Sequence, residues 1–194
     1  MEAFLKYVEQ GGYVMPPLIL AAMILWYGIG YRLALLWRGG DRHPRAVVKD
    51  FFDNPSKQPR NPVERAAAIG VSTVFKHATQ LGRALEHEFM PLRGELNKFR
   101  VLTKVIVAVS PLLGLLGTVS GMIETFSALG DMTLFSQSGG IAGGISQALL
   151  TTQFGLSIAI PGLLMRNFLE MRQRLIESQI DEVFSILSGK AAQA

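Results

Sequence analysis

Two stretches decide the fold: VIVAVSPLLGLLGTVSGMIETFSAL at residues 105–129 and GGIAGGISQALLTTQFGLSIAIPGLLM at residues 139–165. Each exceeds the ~20 residues a helix needs to cross a bilayer. Hydroxyls and amides recur inside them, so neither is a plain anchor. Polar groups in hydrocarbon are costly and belong against other helices or a water-filled path. The chain therefore reads as a membrane protein whose working parts are its spans.

A third apolar stretch, VMPPLILAAMILWYGIGYRLALLW at 14–37, comes first. The predicted fold class is all-α, with three transmembrane helices at 14–37, 105–129 and 139–165. The remaining segments are 1–13, 38–104, 130–138 and 166–194. Residues 38–100 hold 12 Lys/Arg and 7 Asp/Glu, whereas the 130–138 connector has no base and the N-terminal segment has Lys6 alone. Arg166, Arg172, Arg174 and Lys190 follow the third span. Lys and Arg collect on the cytoplasmic side of membrane proteins. That rule places the N-terminus and the 130–138 loop in the periplasm, and the central segment and C-terminus in the cytoplasm.

The net charge of +4 does not point to nucleic acid, because bases and acids are interleaved and sorted by membrane side. The first stretch is not read as a signal peptide: Glu2, Lys6 and Glu9 precede it and no small-x-small site follows. Arg32, Arg38, Arg42 and Arg45 read as its inner flank. With no cysteine, disulfides and thiol chemistry are excluded. No metal-ligand set, cofactor motif or phosphate-binding loop is present, and the chain is not read as an enzyme.

Glu2–Gln10 reads as a short surface helix, and Gly11-Gly12 separates it from the first span. Residues 39–61, rich in proline, glycine and charge, read as irregular. Asn61-Pro62 marks a helix start, an N-cap before proline at the first helical position. Val63, Ala67, Val71, Val74, Ala78, Leu81, Leu85 and Phe89 then form one apolar stripe of an amphipathic helix. Pro91 and Gly94 are expected to kink or restart it. From Leu96 the pattern runs on into the second span. The third span continues as a helix to about 187, with Phe168, Leu175, Ile180, Val183 and Leu187 on its apolar face. At 1.5 Å per residue that helix is roughly 70 Å long, against a hydrocarbon core of about 30 Å. Over half of it must leave the membrane and pack against the 62–100 region.

Gly114, Gly117 and Gly121 recur at helical spacing, as do Gly144, Ala148, Thr152, Gly155, Ala159 and Gly162. Small residues so spaced let helix backbones approach closely, so Gly114, Gly117, Gly121, Gly144, Gly155 and Gly162 are the predicted packing set. Because a hydroxyl both donates and accepts, a string of them can hold water without a fixed charge. The candidates for a channel wall are Thr118, Ser146, Gln147, Thr151 and Thr152. The competing reading is that each hydroxyl bonds back to its own helix or to a neighbour. Glu124, the one carboxylate in any span, falls at the outer end of the second helix, an interfacial group or a channel-mouth acid. No span holds a central acid, His or Lys, and a proton carrier needs an ionisable group. If protons cross, a second protein supplies it.

PLLGLLGTVSGMIETF (111–126) with GGISQALLTTQFGLSIAIP (143–161) resembles the MotA/TolQ/ExbB proton-channel family, and most of all its short ExbB forms. The likeness covers both later spans in order, most of residues 96–166. It implies a homopentamer in a bacterial inner membrane around an ExbD-like single-span partner, whose membrane aspartate carries the proton. It further implies that proton flow energises a TonB-like protein for outer-membrane import of iron-siderophores or vitamins. By position, Thr118 and Thr152 match threonines lining the family's channel. Gln147 stands where ExbB and TolQ carry glutamate. A TolQ-like role in envelope integrity is the alternative within the family, and a passive membrane scaffold the alternative outside it.

Overall fold

The computed structural model describes residues 8, 10–37, 43–76, 81–130 and 138–191. The surface helix expected before Gln10 falls largely outside them, as do the 131–137 part of the connector and Ala78. Among the described residues every regular element is helical. After a 3₁₀ turn at Gly12–Val14 come α1 (Met15–Trp37), α2 (Pro44–Asp53), α3 (Pro62–Lys76), α4 (Leu81–Asn97), α5 (Arg100–Gly130) and α6 (Ser138–Ala191). Three of the helices are long and apolar enough to cross a membrane. The chain divides into two compact units, Met1–Ile29 with Arg100–Arg166, and Gly30–Phe99 with Asn167–Ala194.

The first unit is built on a seam between α5 and α6. A methyl group added at Gly155 would lie 2.7 Å from the Ser110 carbonyl oxygen, and one at Gly114 would lie 3.1 Å from the Thr151 carbonyl. At Gly121 it would lie 2.8 Å from the Ala148 amide nitrogen, and at Gly144 2.6 Å from the Gly121 carbonyl. Gly117 faces the Thr151 side chain, and Gly162 faces Leu25 of α1 and Val107 of α5. All six glycines are buried, and at each the missing side chain is what lets the neighbouring helix come so close. Leu18, Leu25 and Ile29 bury one side of α1. Pro16 and Pro17 sit in its first turn, where the backbone N–H has no partner inside the helix.

The second unit is packed by large side chains. Helix α2 lies within the 39–61 stretch that composition marks as irregular. Pro44 starts it, and Pro44, Val47, Val48 and Phe51 bury one face, so periodicity beneath the charge was the stronger signal. Helix α3 begins at Asn61-Pro62 as expected, with the Arg65 N–H on the Asn61 carbonyl (2.8 Å) and the Arg60 N–H on the Glu64 carboxylate (2.8 Å). The single amphipathic helix expected from Val63 to Phe89 is two helices packed side by side, with Arg65 donating to Glu95 at 2.8 Å; on α4 Leu85, Phe89, Leu92 and Leu96 are buried. Pro91 and Gly94 do not end α4, which runs to Asn97. Pro91 is exposed, where water replaces the N–H donor that proline lacks.

The far part of α6 packs in this unit through Leu169, Ile176, Ile180, Val183 and Leu187, all buried. Phe184 meets Phe89 edge-on at 6.0 Å, and Arg93 pairs with Asp181 at 2.5 Å. The long third helix with its extension packed on the 62–100 region is thus present. At 54 residues, α6 is about 80 Å long.

Two expectations fail at the C-terminal end of α1 and the start of α5. The helix does not run unbroken from Leu96 into the second span: α4 ends at Asn97, and Phe99 takes a left-handed backbone (φ 61°) before α5 begins at Arg100. A bulky residue pays a steric cost in that region, and Phe99 is held there by an edge-on contact with Tyr31 at 5.2 Å. Arg32 is not a solvated flank. It is 1% exposed and donates to the Gln173 side-chain oxygen at 2.5 Å. The Gln173 amide in turn donates to Asn97 (2.9 Å) and to Glu177 (2.7 Å). A buried charge has to be hydrogen-bonded to be tolerated, and the glutamine carries the contact onward towards a carboxylate.

Candidate functional site

The seam of the first unit sorts the span hydroxyls by where they fall around each helix. Ser110, Thr125 and Thr151 lie inside it. Ser110 donates to the Ile106 carbonyl (2.8 Å) and Thr125 to that of Gly121 (2.8 Å). Thr151, 0% exposed, donates to the Gln147 and Ala148 carbonyls at 3.0 and 3.1 Å. These hydroxyls satisfy themselves on their own helix and fill space beside glycines. That is the local back-bonding common for Ser and Thr in helices.

Thr118 and Thr152 sit at an edge of the seam, both half-buried. Thr152 is the hydroxyl that crosses between the helices: it reaches the Gly114 carbonyl at 3.2 Å as well as Ala148 of its own helix at 3.1 Å. Thr118 lies one turn beyond Gly114 on α5, which puts it on the same side of that helix, and donates to Leu115 at 2.7 Å. Each hydroxyl oxygen retains acceptor capacity after donating its proton. The pair therefore forms a short polar strip at the rim of an apolar contact.

The other candidates are placed elsewhere. Gln147 is buried at 8% exposure against the 3₁₀ turn, where the space beside Gly12 is filled by its amide. Ser146 is half-buried, and Glu124 is exposed near the end of α5. On the opposite edge of α5 from Thr118, Ser120 is bonded to the Tyr13 hydroxyl at 2.6 Å. Two residues outside the candidate set stand out. Gln153 and Ser157 are exposed side chains on α6 at a surface groove of about 370 Å³. Val8, Met15, Ile19, Leu150 and Phe154 line the rest of it. The signal was available in sequence: neither side chain falls on the small-residue stripe, so both had to face away from it. Among the described residues no group of three or more His, Asp or Glu is arranged to hold a metal ion.

Residues 58–182 match the MotA/TolQ/ExbB proton channel family. The chain belongs to it. The seam and its threonine strip lie within the matched region of this MotA/TolQ/ExbB chain. It is 32% identical over 192 residues to an ExbB-like biopolymer transport protein of Synechocystis sp., covering 89% of this chain and 90% of that one. It is also 34% identical over 88 residues to the biopolymer transport protein ExbB of Aquifex aeolicus, 44% of this chain and 59% of that one. The Tol-Pal system protein TolQ of Haemophilus influenzae is 38% identical over 90 residues, 44% of this chain and 39% of that one. Membership extends to a membrane-embedded subunit of an energy-transducing transport system.

Proposed function

We propose that this chain is an ExbB-like subunit of the bacterial inner membrane, assembled as a homopentamer around an ExbD-like single-span protein. In this reading the partner contributes a membrane aspartate, and the complex drives a TonB-like protein to power import of iron-siderophores or vitamins. The observation that carries it is the strip of Thr118 and Thr152, at whose level the spans hold no ionisable group. Residues 105–129 and 139–165 contain Glu124 and no Asp, His, Lys or Arg. Transfer of a proton through such a wall needs a titrating group from outside the chain. One charge crossing the membrane releases about 2.3 kcal/mol per 100 mV, enough to move a partner without nucleotide.

The proposal narrows the channel wall to Thr118 and Thr152, with Ser146 as a neighbour and Glu124 at the mouth, because Gln147 and Thr151 are buried inside the protomer. Gln153 supports assembly: an exposed amide within a span has no hydrogen-bonding partner in lipid, so a second polypeptide is the partner that suits it. A TolQ-like role in envelope integrity is kept as a second reading by the 38% identity to TolQ.

Co-purification tests the reading. The chain should bring down an ExbD-like protein, and deleting it should abolish gradient-driven uptake but leave envelope integrity intact. Detergent sensitivity with normal uptake would move it to the Tol pathway, and recovery with no partner would leave a scaffold. Topology is checked by thiol labelling of cysteines placed one at a time. Substitutions at Leu5 and Leu134 should react from the periplasm, and at Arg60 and Ser185 only from the cytoplasm.

A further inference from the structure

We propose that Gln147 is a positioning residue that keys the rotation of α6 by filling the notch left by Gly12. The α5–α6 seam is smooth. Gly114, Gly117 and Gly121 meet Gly144, Ala148, Thr151 and Gly155 at near backbone contact. Small residues permit close approach, but a flat contact offers little resistance to a turn of one helix about its own axis. A side chain that leaves the seam and engages a third element adds resistance at this end of the helix.

Gln147 does so. It precedes Ala148, about 100° round the helix from it, and its amide occupies the space where a side chain at position 12 would lie. Gly12 has a left-handed backbone (φ 61°) and opens the 3₁₀ turn that leads into α1. The turn is itself anchored. Val14 and Met15 are buried, and the Tyr13 hydroxyl bonds Ser120 of α5 at 2.6 Å. The first span's end thus touches α5 through Tyr13 and α6 through Gly12, and closes the triangle. Thr152 lies five residues beyond Gln147, about 140° further round the same helix, where it reaches the Gly114 carbonyl. Fixing Gln147 under Gly12 therefore fixes which way Thr152 points. The consequence for Thr152 rests on the function proposed above; the key itself does not.

The experiment uses the full chain in native membranes. Because the chain has no cysteine, Tyr13→Cys with Ser120→Cys gives a single thiol pair. A short bifunctional thiol reagent spanning the space of the Tyr13 phenol then reports whether the turn is docked. Asparagine tolerates left-handed backbone, so Gly12→Asn adds a clash with the Gln147 amide at little cost in backbone strain. Gly12→Asn should lower the cross-link yield severalfold, and so should Gln147→Ala, which empties the notch. The two together should restore the yield to near that of the parent, because asparagine then fills the space from the other side. Gln147→Met, similar in length and volume, should hold the yield and serves if Gly12→Asn fails to insert. A full yield in Gln147→Ala, or no restoration in the double variant, overturns the key. Gradient-driven activity should fall with Gln147→Ala and return in the double variant. Activity that ignores the yield, in a background where Thr152→Val is inactive, would reduce Gln147 to packing. Full activity in Thr152→Val would instead remove the proposed channel role and leave the key standing.

Discussion

The two ends of α6 use one stripe and two vocabularies. Gly144, Ala148, Thr151, Gly155, Ile158 and Gly162 are buried at alternating four- and three-residue steps. Leu169, Gln173, Ile176, Ile180, Val183 and Leu187 are buried at the same steps. The spacing is that of a coiled-coil seam throughout. In the membrane-spanning part the residues are small, Ile158 excepted; beyond it they are large and branched, Gln173 excepted. Lipid tails are as apolar as leucine, so burying a large side chain gains little there and close backbone approach has to supply the attraction. In water each large side chain removed from solvent is worth ~1.5–3 kcal/mol. A glycine is therefore structural in one half of the helix and would be a defect in the other.

Exchanging the vocabularies should break the protein, and most severely in the spans. Gly155→Leu drives a side chain into the Ser110 carbonyl and the Gly114 backbone, neither of which can move aside. Its cost should exceed the ~1–3 kcal/mol usual for overpacking, seen as loss of monodisperse protein after detergent extraction. Ile180→Ala in the second unit should cost ~2–5 kcal/mol through the cavity it leaves, measured as a lower thermal midpoint with assembly retained. Gln173→Leu makes the second stripe uniform but removes the acceptor of a buried guanidinium. It should destabilise by ~1–3 kcal/mol despite the added apolar surface, and a gain in midpoint would show packing outweighing that hydrogen bond. Thr152→Val should change stability least, by about 0.6 kcal/mol as for interhelical hydrogen bonds in membranes, while abolishing gradient-driven uptake. Full uptake would make the hydroxyl part of the packing only.

Much of this contrast was legible in the chain. The glycine spacing in 105–129 and 139–165 announced a close seam, because only such residues allow one inside a span. The extension of α6 followed from its apolar residues after 165, but the face was misjudged in part: Phe168 and Leu175 are exposed, and Leu169 and Ile176 are buried in their place. The position of each hydroxyl around the seam was not legible, since a list of Thr and Ser does not say which side of a helix meets a neighbour. Thr151 and Thr152 are adjacent, yet one is sealed in the seam and the other sits at its rim. Helix α2 was hidden because proline and charge outweighed Val47, Val48 and Phe51 in a compositional reading. The stop at Asn97 could not be read, since phenylalanine carries no signal for left-handed backbone and Phe99 is held by a tertiary contact with Tyr31. Arg32 was misplaced for a related reason: its hydrogen-bond acceptor, Gln173, is 141 residues away.

The continuity of α6 has a consequence for how such a sequence can change length. No loop separates Gly162 from Leu169, so nothing absorbs an added or lost residue between the two halves of the stripe. One extra residue there would turn every side chain from Leu169 to Leu187 by about 100° against those from Gly144 to Gly162, presenting Gln179 and Glu182 where Ile180 and Val183 belong. Seven extra residues would turn them by only about 20°. Insertions and deletions in this helix are thus quantised: steps of seven preserve both contacts, and single steps destroy one of them.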